Sequence, residues 1–209
     1  MINTKKRIAD LFCGVGGASV GLHRAGYEVV GFDIQPQPNY PKTLEFHQSD
    51  AFDVDLSSFD AVWASPPCQG YSGHTGDEAN KTPKYIDAMR ERLTDNGKPF
   101  IIENVIGARD YMQNPVMLCG CMFDLEIRRR RLFESDVNLV APKHEHKPIV
   151  YTEADRRLYS VTGHSRHKGT TAIWQRMMGM PWAKRARELT EAIPPDYSEY
   201  LGKQLIQYD

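Results

Sequence analysis

Cysteine is scarce in this chain: four residues, Cys13, Cys68, Cys119 and Cys121, among 209. So few thiols in a chain of this length exclude a disulfide framework, and each is expected reduced, whether buried, reactive or metal-bound. Long apolar runs are missing as well. No stretch approaches the roughly 20 residues of a membrane helix, and Met1-Ile-Asn-Thr-Lys-Lys-Arg7 leads into Ile8-Ala9-Asp10 rather than an apolar signal core. The expectation is a soluble, cytoplasmic protein with no membrane partner. Proline (13) and glycine (16) are too few and too scattered for a collagenous or low-complexity chain, and 41% hydrophobic residues exclude disorder as the main state. The length suits one globular domain with a small appendage.

Net charge is also nearly absent, at −1, but it is unevenly spread. From Arg128 to Arg187 fourteen Lys/Arg stand against five Asp/Glu, an excess of nine, interleaved with histidines and with Phe133, Tyr151, Tyr159, Trp174 and Trp182. Such a composition suits a surface that meets phosphates and bases, so a polyanion is the favoured partner. A solvated basic face without a ligand has the same composition.

Short β-rich runs recur at Ile8 to Phe12, Glu28 to Asp33, Phe46 to Asp50, Ala61 to Ala64 and Phe100 to Glu103. Helical segments lie between them, Ala18 to Ala25 closed by Gly26 and Pro83 to Asn96 closed by Gly97. The alternation predicts an α/β fold, a mostly parallel sheet with flanking helices. Beyond Phe133 the pattern weakens, and only Ala172 to Met180 and Pro195 to Tyr208 read as helices. The division this suggests is 1–135 as the catalytic and cofactor-binding unit, 136–171 as a small irregular basic insertion, and 172–209 as helices that pack back.

Asp10-Leu-Phe-Cys-Gly14-Val-Gly16-Gly17 places glycines where the first strand turns into the first helix, so backbone N–H groups can approach a polar ligand. Asp33 ends the second strand about 20 residues on, where βαβ nucleotide sites hold a ribose. Asp50 ends the third and could meet an adenine amino group. Ordinary strand-end turns would look the same. The fourth strand runs into Ser65-Pro66-Pro67-Cys68-Gln69, with a thiol just past its carboxyl edge, which is either a nucleophile or an inert buried cysteine. The fifth ends at Glu103-Asn104-Val105, a carboxylate at the same edge that is either a cap or a functional acid.

Taken in order, these segments resemble the DNA (cytosine-5)-methyltransferase family, closest in layout to the short members carried by bacteriophages. Phe12 to Gly17 resembles its S-adenosylmethionine motif, Pro67-Cys68-Gln69 its nucleophile motif, Glu103-Asn104-Val105 its acid motif and Arg129-Arg130-Arg131 its Arg-x-Arg motif. Gln175 to Pro181 and Ala192 to Leu205 resemble the late segments. The resemblance implies a Rossmann-like methyltransferase fold, S-adenosylmethionine as cofactor and DNA as partner along the basic segment. It implies that the Cys68 thiolate adds to cytosine C6, Glu103 bonds N3 and the amino group, Arg131 holds O2, and Arg129 braces the loop or a phosphate, on a flipped-out base. Phe12, Gly14, Gly16, Gly17, Asp33, Ile34, Asp50, Ala51 and Pro67 are then assigned to the cofactor. The same resemblance leaves an RNA-directed enzyme, a non-catalytic relative and one subunit of a split methylase as alternatives.

Three departures stand out. Only Glu134 to Thr171 is available for target recognition, so 136–171 is a much reduced recognition region and a second chain could supply the rest. Ile127 replaces the glutamine that commonly precedes the arginine motif, which puts the bracing of that loop in doubt. Thr190-Glu191 replaces a Gly-Asn pair and puts a carboxylate near the expected cofactor pocket. Cys119-Gly-Cys121 and His144-Glu-His146 offer two thiols and two imidazoles, the ingredients of a zinc site. Their spacing is not that of a common finger and such segments are more often turn and packing, so no metal is expected.

Overall fold

Val29-Val30, Ala61 to Ala64 and Phe100 to Ile102 are apolar on both faces, as strands in the middle of a doubly covered sheet must be. The computed structural model describes residues 5–71, 83–144, 161 and 171–208, and places these runs in one seven-stranded sheet. Its strands are β1 (Arg7–Leu11), β2 (Glu28–Asp33), β3 (Glu45–Gln48), β4 (Ala61–Ala64), β5 (Phe100–Asn104), β6 (Val116–Leu118) and β7 (Arg131–Ser135), in the order β3-β2-β1-β4-β5-β7-β6. β1 to β5 are parallel, while β7 lies antiparallel to both β5 and β6. The expected α/β architecture holds. The antiparallel β6 and β7 were not anticipated: the arginine run Arg128 to Arg131 and a three-residue edge strand leave almost no alternating pattern to read.

Two apolar layers cover the sheet. On one face α2 (Ile86–Asn96) brings Ile86, Met89 and Leu93 against Val62, Ala64 and Ile102. On the other, α1 (Gly17–Arg24) and α5 (Pro195–Leu205) bring Leu22, Tyr197, Leu201 and Leu205 against Ile8, Trp63 and Ile101. The α1 and α5 backbones approach closely because α1 carries glycine at the crossing: a Cβ on Gly21 would sit 2.0 Å from the Pro195 carbonyl oxygen and from Ser198 Oγ. Ser198 Oγ donates to the Ala18 carbonyl at 2.9 Å, which closes the junction. A third cluster joins α3 (Thr171–Met178) and α4 (Ala186–Glu191) to Val15 and Ile127 through Trp174, Met177, Met180 and Leu189.

The chain runs from β1 outward to β3, then returns to β4 on the other side of β1. Between β1 and β4, at their carboxyl ends, the connections leave in opposite directions and open a crevice. Both the glycine loop after β1 and the Cys68 loop after β4 start there. Among the described residues no helix is long and apolar enough to cross a membrane.

Candidate active site

The chain leaves β1 through a run of left-handed residues, Phe12 (φ 60°), Gly14 (φ 50°) and Gly16 (φ 83°), the last opening α1. This conformation is costly for phenylalanine and is held by packing of its ring against Phe52 and Tyr85. The turn aims the Gly14 N–H at Asp33 Oδ2, 2.9 Å away, and Gln35 N donates to Asp33 Oδ1 at 2.8 Å. Both carboxylate oxygens of Asp33 are therefore fixed in place, each with lone-pair capacity left for a ligand.

A cavity of about 290 Å³ fills the crevice. Of the residues that the resemblance assigns to the cofactor, Phe12, Gly14, Gly17, Asp33, Ile34 and Pro67 line it, and so do Cys68, Glu103 and Arg131. The Ile34 side chain is 57% exposed, an apolar platform in the mouth. Gly16 is buried just behind the wall, against Tyr40. Asp50 and Ala51 do not reach the cavity: the Asp50 carboxylate caps its own turn by accepting from Phe52 N at 2.9 Å, and Ala51 packs into the layer beneath with Val54 and Phe59.

The wall is acidic. Asp10, Asp33, Glu103, Glu188 and Glu191 face Arg131 and Arg187, a balance that favours a cationic ligand. Asp10, at the end of β1, was not singled out by its sequence position. It is fully buried, accepts from Ser19 Oγ, and has a second carboxyl oxygen, Oδ1, with no protein partner. Burial pushes its pKa up to about 7, only partly opposed by the Ser19 hydrogen bond. Glu191, the carboxylate substituted near the pocket, does line it, but is neutralised by Arg187 at 2.8 Å.

Past β4, Ser65 N donates to the Leu11 carbonyl at 3.0 Å and Asn104 Nδ2 donates to the Pro66 carbonyl at 3.0 Å. The two bonds hold the prolines, and with them Cys68, against the end of β5. Glu103 and Asn104 thus divide two tasks, the first facing the cavity and the second fixing the thiol's loop. Cys68 is half-buried; burial and then Glu103 push its thiol up, while Arg131 and Arg129 pull it down. It rests as the thiol. Glu103 pairs with Arg131, Nε to Oε1 at 3.0 Å, yet burial outweighs both arginines and raises its carboxyl above the usual range. A buried carboxyl that holds its proton more tightly than one in water, on the same cavity wall as a thiol, can serve as a proton donor.

The arginine motif alternates in exposure, with Arg128 and Arg130 outside and Arg129 inside. Arg129 Nη1 donates to the Val161 carbonyl and Nη2 to that of Thr190, both at 2.6 Å, with a further bond to Ala192. Tyr197 Oη donates to the Arg129 carbonyl at 2.6 Å. Arg129 is therefore a positioning residue that ties α4 and α5 to the loop, and it does not line the cavity. Burial, then Arg131, lowers its pKa to about 9, so it remains cationic at neutral pH. Ile127, where a polar brace was missed, instead anchors the loop by burial among Val15, Trp174 and Met177. The sequence does not mark Asn104 or Tyr197, because each acts through a tertiary contact that no local spacing reveals; Arg187 is instead held locally, by Glu191 four residues on in α4.

The excess positive charge of the Arg128 to Arg187 segment is partly internal. Arg129 is buried, and Arg131, Arg176 and Arg187 pair with Glu103, Glu126 and Glu191. Arg156, Arg157, Arg166 and Lys168, the aromatic Tyr151 and Tyr159, and His146 lie outside the described residues.

A family model for the C-5 cytosine-specific DNA methylase matches residues 6–117, more than half of the chain. Type II methyltransferase M.AgeI of Thalassovita gelatinovora is 26% identical over 161 residues, covering 59% of this chain and 38% of that protein. Type II methyltransferase M.DdeI of Desulfomicrobium norvegicum is 29% identical over 117 residues, covering 48% and 28%. The chain thus spans well under half the length of these two relatives. Among solved structures, the Entamoeba histolytica methyltransferase EhMeth superposes with a TM-score of 0.66 at 11% identity, and the S. pombe Dnmt2 methyltransferase with 0.60 at 15%. Each covers 98% of this chain and 99% of its own. At such identities the likeness is one of fold, and it agrees with the sheet described above.

Proposed function

The chain belongs to the C-5 cytosine-specific DNA methylase family, and from that membership we propose that it transfers a methyl group from S-adenosylmethionine to C5 of cytosine in DNA. The observation that carries this reading is the meeting of Cys68, Glu103 and Arg131 on the wall of the same cavity that holds the Gly14 and Asp33 cradle. The cavity fits the cofactor. Asp33 offers a fixed carboxylate to a ribose, Phe12 and Ile34 offer apolar surface to a purine, and the unpartnered Asp10 oxygen suits an ammonium or sulfonium charge. S-adenosylmethionine, when bound, supplies an electrophilic methyl group.

The chain's own residues do the rest. Cys68 gives up its proton to solvent and its sulfur forms a bond to cytosine C6, so that the C5–C6 double-bond electrons move toward N3 and C5 becomes nucleophilic. Glu103 donates a proton to N3 and so removes the charge that addition would leave on the ring. Arg131, fixed by Glu103, faces the same space and holds the O2 oxygen. After C5 has taken up the methyl group, solvent removes the C5 proton, the C5–C6 double bond re-forms as the Cys68 sulfur leaves, and N3 returns its proton to Glu103. These ring atoms are out of reach inside a stacked duplex, so the base is flipped into the cavity.

Residues 136–171 are the reduced target-recognition region in this reading, 1–135 the catalytic unit, and 172–209 the return that closes the pocket. DNA is the partner, with a second chain supplying recognition if the isolated protein reads its site poorly. Labelled-methyl transfer to DNA, with a matched RNA and a Cys68→Ser control, tests the proposal. Methylated cytosine in DNA made only by the wild type is the expected result, whereas transfer to RNA alone would move the assignment to that substrate.

A further inference from the structure

The turn after β6 and the segment after β7 bring three donor groups to one place, outside the lining of the proposed active-site cavity. Cys119 follows β6 and is wholly buried; Cys121 lies in the short 3-10 turn Gly120–Phe123, half-buried; His144 arrives from the stretch beyond β7. Cys121 Sγ and His144 Nε2 are 3.2 Å apart, and the two sulfurs and a His144 ring nitrogen all lie within 4.8 Å of one another. Around a tetrahedral zinc ion with bonds of about 2.3 Å to sulfur and about 2.0 Å to nitrogen, ligand atoms stand roughly 3.5 to 4 Å apart. Small side-chain adjustments therefore suffice.

We propose that Cys119, Cys121 and His144 form a zinc-binding site whose fourth position is completed by solvent or one further donor. Binding converts two thiols to thiolates and releases two protons, while His144 coordinates as the neutral imidazole. The two thiolates cancel the charge of the dication, so the site is neutral and suited to a half-buried place.

The position gives the ion something to hold. The turn is pressed onto the arginine loop, since a Cβ on Gly120 would lie 2.2 Å from the Ile127 carbonyl oxygen. Phe123 packs on Tyr197 with ring centroids 5.2 Å apart, and Tyr197 in turn donates to the Arg129 carbonyl. An ion here cross-links the β6–β7 turn to the stretch that leads into residue 145, and stiffens the loop carrying Arg129 and Arg131. The cysteines lie only two residues apart, so neither alone closes a loop; His144, 23 residues on, is what makes the link long-range.

The site does not depend on the proposed methyl transfer, and its test is metal content. The full chain, purified in reducing buffer with zinc and passed over a desalting column, should retain one zinc per chain, and Cys121→Ser and His144→Ala should lose most of it. Cobalt in place of zinc should give sulfur-to-cobalt charge-transfer absorption and tetrahedral visible bands in the wild type, with the sulfur bands reduced in Cys121→Ser. The wild-type spectrum decides the matter even if a variant folds poorly. Protein that retains no zinc with both thiols still reduced, a Cys119 to Cys121 disulfide, or zinc held equally by both variants would each overturn the site.

Discussion

Arg131 Nε lies 3.0 Å from Glu103 Oε1, and the contact is set by strand pairing rather than by proximity in sequence. β7 runs antiparallel to β5 with Phe133 opposite Glu103, so Arg131, two residues before Phe133, projects from the same face of the sheet toward the Glu103 carboxyl. The pair restrains the acid that the proposed chemistry needs, and it depends on an edge of the sheet that the sequence does not announce. Replacing Arg131 by Lys keeps the charge but loses the planar fork. Arg131→Lys should leave thermal stability within about 1 kcal/mol of wild type, while lowering kcat for methyl transfer more than KM for DNA. Equal transfer rates for the two proteins would remove Arg131 from the site.

Cys68→Ser should reduce methyl transfer to background because an unactivated hydroxyl is a far weaker nucleophile than a thiolate. Cofactor affinity, read by calorimetry, should stay near wild type, since Asp33 and the glycine turn are untouched. DNA with 5-fluorocytosine at the target should trap wild-type protein covalently, as fluorine cannot leave as the proton does. A Cys68→Ser protein that still forms the adduct would sink the mechanism.

Much of the cavity wall was legible because strand ends and loop residues are local features. Gly14 to Gly17, Asp33, Cys68 and Glu103 each follow a short apolar run, and a doubly wound sheet collects such ends along one edge. What stayed hidden is what tertiary packing creates. Asp10 reads as one more polar residue until burial isolates it, and Asp50 fails to reach the cavity because its carboxylate turns back to Phe52 N. Arg129 reads as one of four like neighbours, yet its guanidinium turns inward to carbonyls from two separate segments, at Val161 and at the end of α4, Thr190 and Ala192. Ile127 reads as the loss of a polar brace, but it holds its loop through an apolar cluster assembled from α3 and the glycine loop.

Asp10 should leave a signature in the pH dependence of stability. Its pKa is raised in the folded protein from 3.8 to about 7, so between those values the folded state binds more protons than the unfolded state. Stability contributed by this group is then present at low pH and lost as pH rises toward about 7, by a few kcal/mol at most. Asp10→Asn keeps an oxygen for Ser19 and removes the titration. Urea unfolding between pH 4 and 7 should therefore fall less steeply in Asp10→Asn than in wild type, and parallel curves would refute the assignment.

Asp33 and Asp50 separate the cofactor cradle from a neighbouring strand end. Asp33→Ala should weaken S-adenosylmethionine binding by about 1 to 3 kcal/mol, through loss of a charged acceptor and of the Gly14 and Gln35 bonds that shape the turn. Asp50→Ala should change it little, because that side chain does not line the cavity. Calorimetric titration of both variants decides the point, and the reverse ranking would move the cofactor toward β3.

The basic segment should bind DNA with more affinity than discrimination. Of its fourteen Lys/Arg, Arg129 is buried and Arg131, Arg176 and Arg187 are paired; Arg156, Arg157, Arg166 and Lys168, which lie outside the described residues, are candidates for holding phosphates on their charge alone. Holding a phosphate needs only positive charge, whereas reading bases needs several side chains held rigidly against base edges, and 136–171 is short for that task. Binding should be steeply salt-dependent and the methylated target short, about two to four base pairs, unless a second chain contributes. Neutralising those four residues together should weaken binding to all sequences alike and flatten the log–log salt slope by about 0.9 for each phosphate that the protein no longer neutralises. Sequencing of DNA methylated by the isolated chain gives the decisive comparison: one long, strictly read site would mean that the short insertion discriminates far better than its size and charge imply.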